Sequence, residues 1–154
     1  MKQILNRQEV EDVLRKYIRK QGWAMLDCRI SNLDSFRDVY GLTASEEMLH
    51  FAAKLIGEVI DEIGTSEDQV GNTEADNFLI LTTATAASKM RERLKSRFNT
   101  EVIAFYSLAD RERGYLIVQD QNSNEMHVPL MSLSVGKVIV DDLTRGRIDD
   151  YRRS

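Results

Sequence analysis

The turn Thr73-Glu74-Ala75-Asp76-Asn77 places two carboxylates and an amide between two apolar runs. Such oxygens raise the question of a hard cation such as Mg²⁺, which takes oxygen ligands. Asp76 and Asn77 are also ordinary turn residues, whose side chains bond the nearby backbone. Further polar and ionisable groups precede them: Arg29, Asp34, Arg37 and Asp38 in one stretch, then Glu46, Thr65 and Asp68. Asp38 suits a helix end or the surface. His50 and His127 have no catalytic partner close in sequence and read as structural or exposed. Cys28, in an apolar run, reads as a small core residue. As the single cysteine it forms no intramolecular disulfide, and no Cys/His cluster has zinc spacing.

The elements that must position these groups follow from periodicity. Val10, Val13, Leu14, Tyr17 and Ile18 fall on one face of a helix that Gly22 stops. Trp23 to Ile30 reads as a mostly buried strand. Ser31 or Asn32 caps a short helix through Tyr40, which Gly41 ends. Thr43, with Glu46 as a capping-box partner, opens the longest helix, its core stripe running from Met48 to Ile63. Strands are expected over Asp68 to Asn72 and Phe78 to Thr83, with the acidic turn joining them as a hairpin. A helix follows over Ala87 to Phe98, then strands over Val102 to Tyr106, Tyr115 to Val118 and Val128 to Val138. The last two are joined through the turn-prone Gln121-Asn122-Ser123-Asn124. The pattern predicts an α/β (α+β) sandwich, with helices covering a mixed sheet.

The chain has 154 residues, 42% of them hydrophobic, enough for one domain over 1–154 with its own core. No stretch approaches the roughly 20 apolar residues of a membrane span. The segment from Met1 to Glu9 is too polar for a signal peptide. A cytoplasmic location, with no membrane partner, is the expectation. The net charge of −4 argues against DNA or RNA as a partner. Arg145, Arg147, Arg152 and Arg153 gather near the end, but Asp149 and Asp150 interleave with them, as in a solvated helix or tail.

Five segments resemble the GGDEF (diguanylate cyclase) family. Arg29-Ile30-Ser31-Asn32-Leu33-Asp34-Ser35-Phe36-Arg37-Asp38-Val39-Tyr40-Gly41 follows the family's D-I-D-x-F-K-x-x-N-D-x-Y-G. Ser45-Glu46 stands at its later G-D pair. Gly71-Asn72-Thr73-Glu74-Ala75-Asp76-Asn77-Phe78 resembles the hairpin variant G-H-x-G-G-D-D-F. Pro129-Leu130-Met131-Ser132-Leu133-Ser134-Val135-Gly136 looks like its S-[IV]-G strand. Tyr106 to Tyr115 resembles a segment of GGDEF domains often attached to receiver domains. The resemblance runs from about Leu5 to Val140.

It implies a nucleotide-cyclase-like fold whose active members join two GTP molecules with the help of Mg²⁺, a cofactor expected here only of an active cyclase. The family draws its metal ligands from the first Asp of D-I-D and the acidic fourth residue of the hairpin motif. Arg29 and Asn77 stand there, and arginine has no lone pair to offer a cation. Glu74 and Ala75 replace the two glycines that let the backbone approach the triphosphate. Arg37 and Glu46 replace the guanine-reading Asn and Asp, and Asp34 replaces a Lys. Asp76 and Asp38 match. In the product-inhibition motif R-x-x-D, Asp68 matches and Thr65 replaces the arginine. The phosphate-binding C-terminal helix is not recognisable; Arg145 and Arg147 are the nearest candidates.

The resemblance therefore implies no catalytic residue and no resident cofactor. It implies a signalling module that works through homodimerisation or contact with a partner signalling domain, excised from or belonging to a longer chain. A sensor that binds GTP or a cyclic dinucleotide weakly is the alternative; an active cyclase stands last. Arg29, facing the hairpin tip, is expected to pair with Glu74 or Asp76 and fill the former metal position with fixed charge.

Overall fold

Asn6 opens the first helix with a reciprocal cap. Its side chain accepts from the Glu9 amide at 2.9 Å, and the Glu9 carboxylate accepts from the Asn6 amide at 3.0 Å. The computed structural model describes residues 2–140; Arg145, Arg147 and the other charges of the tail lie outside them. In chain order the elements are β1 (Ile4–Leu5), α1 (Arg7–Tyr17), β2 (Trp23–Ser31), α2 (Leu33–Tyr40), α3 (Leu42–Ile63), β3 (Gln69–Glu74) and β4 (Asn77–Thr83). There follow α4 (Ala84–Glu101), a 3-10 helix (Val102–Phe105), α5 (Leu108–Arg113), β5 (Tyr115–Gln119), β6 (Glu125–Pro129) and β7 (Ser132–Ile139).

Five strands form one mixed sheet in the order β1-β3-β4-β2-β7, with β1 and β3 parallel and the other pairs antiparallel. Strand β2 shows why helices lie on both faces. Ala24, Leu26, Cys28 and Ile30 enter the larger core under α3 and α4, beside Met48, Leu55, Val59, Leu94 and Phe98. Met25, between them, points the other way and meets Val10, Leu14 and Tyr17 of α1, with Leu79 and Leu81 of β4. Each of the large aliphatic and Phe side chains among them, fully buried, contributes about 1.5–3 kcal/mol. Gly71 lets α1 come this close: a Cβ there would overlap the Val10 side chain. The expected α+β sandwich, with a mixed sheet flanked by helices and a hairpin carrying the signature segment, is the observed fold.

Four local expectations change. Val102 to Tyr106 is not a strand: α4 continues to Glu101, and a 3-10 helix follows with Val102 buried. Val128 to Val138 is divided between β6, which pairs only with β5 in a separate two-stranded sheet, and β7, which joins the main sheet. The Thr43–Glu46 capping box does not form, because Gly41 holds the N-cap position of α3 at φ 96° and Thr43 is already helical. Asn32 does precede α2, but in a left-handed conformation with no side-chain cap bond.

Candidate functional site

The β3–β4 hairpin bends its tip onto the end of β2. The Ile30 amide donates to the Asp76 carbonyl at 2.8 Å, and the Asn72 side chain donates to the carbonyls of Glu74 (2.6 Å) and Asn77 (2.9 Å). In the β2–β4 ladder Arg29 lies directly across from Asn77. Period-two alternation puts Asp27 on the same face of β2 as Arg29. Four polar residues are thereby brought together: Asp27, Arg29, Asp76 and Asn77.

Their bonding is specific. The Asn77 amide nitrogen donates to Asp27 Oδ1 at 2.6 Å and to the Cys28 carbonyl at 3.1 Å, and its oxygen accepts from the Thr73 hydroxyl at 2.5 Å. Arg29 Nη1 stands 3.9 Å from Asp76 Oδ1, both side chains over a third exposed. The expected ion pair thus falls on Asp76; Glu74 turns instead to Arg7 of α1, at 3.2 Å. Asp27 carries no sign of this role in the sequence, where it is one polar residue in a mostly apolar strand. It also adds to the burial that pushes the Cys28 thiol above its ordinary range.

These residues do not suit a divalent cation. Mg²⁺ needs oxygens converging on one point. Here a guanidinium, which offers only donors, stands before Asp76, and the one Asn77 oxygen is already used by Thr73. Among the described residues no three His, Cys, Asp or Glu side chains are grouped to hold a metal.

Beside the hairpin tip lies an open cavity of about 320 Å³, lined by Ile4, Leu49, Ala53 and Phe78, with Glu46, His50, Asn72 and Ala75. Glu46 and His50, four residues apart, share that face of α3. Arg37 and Asp34 do not line it. They pair with each other on α2 at 2.7 Å, and Asp34 is exposed. His127 is exposed, stacked on Tyr115 with ring centroids 4.3 Å apart and 3.1 Å from a Glu125 oxygen.

Thr65 and Asp68 lie at the other end of β3, about 20 Å along the strand from the tip at 3.3 Å per residue. Asp68 is fully buried and accepts from the Thr65 and Thr82 hydroxyls, each at 2.8 Å. A Cβ on Gly64 would overlap its second oxygen, so the glycine that ends α3 also makes room for this carboxylate. Both oxygens are spent inside the fold.

The sheet order, the helices on both faces and the hairpin folded onto β2 define an α+β domain of the nucleotide-cyclase kind. The family profile described as "Diguanylate cyclase, GGDEF domain" matches residues 1–115, and the chain belongs to this family. No curated protein matches it in sequence. Among solved structures it is similar to the active GGEEF domain of a diguanylate cyclase from Vibrio cholerae, at 19% identity over 96% of this chain and 88% of that one, TM-score 0.63. It is also similar to the GGDEF domain of DgcB from Caulobacter crescentus, solved with c-di-GMP, at 13% identity over 97% and 79%, TM-score 0.57. A third is diguanylate cyclase SiaD from Pseudomonas aeruginosa, in complex with its activator SiaC, at 17% identity over 94% and 52%, TM-score 0.61. At these identities the likeness is one of fold. No helix among the described residues is long and apolar enough to cross a membrane.

Proposed function

We propose that this GGDEF domain does not make c-di-GMP and serves as a bacterial, cytoplasmic regulatory module, acting through contact with a second copy or with an attached or separate signalling domain. One observation carries this: the Arg29 guanidinium faces Asp76 where the family places a metal ligand, while the Asn77 amide is bonded to Asp27. Phosphoryl transfer rests on cations that bridge and neutralise phosphate oxygens. A guanidinium has no lone pair to offer and cannot hold such a cation as a carboxylate does. Glu74 and Ala75 in place of the two glycines, and the Asp68 carboxylate bonded to two threonines, add a crowded phosphate approach and a closed inhibitory site. SiaD, a similar fold, is seen in complex with its activator SiaC, which supports contact as a means of regulation. The segment from Tyr106 to Tyr115 suggests a receiver domain as the attached partner.

A second reading has the cavity beside the tip in its favour. Glu46 on its edge has the acceptors to meet the amino edge of guanine, over an apolar wall. Arg37, turned to Asp34, does not contribute, so GTP or a cyclic dinucleotide would bind weakly as a sensed ligand. Calorimetric titration with GTP, with and without Mg²⁺, separates the two. Contact signalling predicts neither heat nor thermal shift at millimolar nucleotide; saturable binding without product identifies a sensor.

A further inference from the structure

We infer that the signature hairpin is closed by a cation of its own, the Arg29 guanidinium, together with an amide clasp at Asn77, so that the site holds its shape without any divalent ion. The inference rests on the non-catalytic reading and extends it from lost chemistry to a replacement structure. Two carboxylates, Asp27 of β2 and Asp76 of the hairpin tip, flank the paired residues Arg29 and Asn77, and each has a different compensating partner. Asp76 has Arg29 at 3.9 Å, while its own carbonyl holds the tip through the Ile30 amide at 2.8 Å. Asp27 has the Asn77 amide at 2.6 Å, oriented by the Thr73 hydroxyl on its far side at 2.5 Å. The orientation is forced: Asp27 and the Cys28 carbonyl only accept, so the nitrogen must face them and the oxygen must face Thr73. A carboxylate at position 77 would confront Asp27 with like charge, and the neutral amide removes that conflict. Arginine at 29 and amide at 77 therefore belong together, as one charge-balanced set in the place of carboxylates plus metal.

Removing the internal cation should recreate a demand for an external one. The test uses the whole chain with MnCl₂ alone, no nucleotide, at ionic strength matched with NaCl, and follows thermal unfolding and the electron paramagnetic resonance of bound Mn²⁺. Wild type should bind no Mn²⁺ and melt at the same temperature with and without it. Arg29→Ala should melt lower, bind Mn²⁺ at millimolar concentration and regain most of the lost melting temperature. Adding Asp76→Asn to Arg29→Ala should abolish that recovery. Arg29→Lys, which keeps the charge, should fold and stay insensitive to Mn²⁺, and it remains informative if Arg29→Ala does not fold. Mn²⁺ binding by wild type or Arg29→Lys, no response in folded Arg29→Ala, or an equal response in the double variant overturns the inference. Mn²⁺ binding by wild type overturns this inference alone; c-di-GMP formed by wild type in a separate incubation with GTP and Mn²⁺ overturns the functional reading beneath it.

Discussion

The Asn77 side chain bonds the Asp27 carboxylate at 2.6 Å, across the two strands that carry the family's signature positions. Changing Asn77→Asp keeps the shape, removes the donor and sets two carboxylates in contact. A hydrogen bond to a charged group contributes about 1.5–3 kcal/mol, and a buried acceptor left bare costs a similar amount. Urea unfolding at neutral pH should show a loss of about 2–3 kcal/mol. The deficit should shrink in acid, where a shared proton restores a donor.

At the far end of β3, Asp68 predicts two outcomes. Thr82→Val removes one of its two hydroxyl donors and should cost about 1–3 kcal/mol in equilibrium unfolding. Thr65→Arg, although it rewrites the inhibitory motif, should bind c-di-GMP no better than wild type. Asp68 lies beneath the surface with Thr82 still attached. Calorimetric titration with c-di-GMP is the check, and saturable heat from the Thr65→Arg variant would show the carboxylate to be reachable.

Gly71 and Val10 should behave as a coupled pair. Gly71→Ala pushes a methyl into Val10, and overpacking of this kind costs about 1–3 kcal/mol. Val10→Ala in that background should recover part of the loss, so that a double-mutant cycle measured by chemical unfolding gives a favourable coupling between the two substitutions.

Stability should fall in alkali, for a reason that can be located. Burial pushes the Cys28 thiol upward, helped by Asp27, and burial pushes the Tyr106 hydroxyl up to about 12. Both are acids neutral in the fold, so the unfolded chain releases their protons first as pH rises. Their contribution is complete below the ordinary values of about 8.5 for a thiol and about 10 for a phenol, and is lost above them. For Tyr106 the decline runs until about pH 12. Urea midpoints measured from neutral pH upward should fall, with Cys28→Ala removing the part that begins near the thiol value. In the native state Cys28 should resist a thiol-specific chromogenic reagent that reacts at once in urea.

How far the sequence reveals this structure depends on the element. The α3 stripe and the hairpin between two apolar runs are legible because burial on one face leaves a period, and the acidic turn cannot be core. Val102 to Tyr106 misleads because a short apolar run reads equally as strand or helix end. Its neighbours decide: α4 needs a close, and Val102 provides it by burying itself. Pro129 marks the end of β6, having no amide for a ladder, yet the flanking apolar residues make one continuous strand look natural. Asn6 and Glu9 have capping-box spacing and form the box, whereas Thr43 and Glu46 have the spacing and do not, since Gly41 takes the start of α3. At the site, the nearness of Arg29 to the hairpin tip follows from the resemblance, whereas the register that sets it across from Asn77 comes from the structure. The share taken by Asp27 and Arg7 is not legible either, because a strand carboxylate and a first-turn arginine acquire their roles only once β2, β4 and α1 are packed.

Production of c-di-GMP is the most direct measurement of what the domain does. Purified chain, incubated with GTP and either Mg²⁺ or Mn²⁺ and assayed by liquid chromatography with mass detection, should give no c-di-GMP above a protein-free blank. This is expected because the Arg29 guanidinium stands 3.9 Å from Asp76 and the Asn77 amide is bonded to Asp27. Product that accumulates with time and protein concentration, and disappears when the divalent ion is chelated, would contradict a non-catalytic domain.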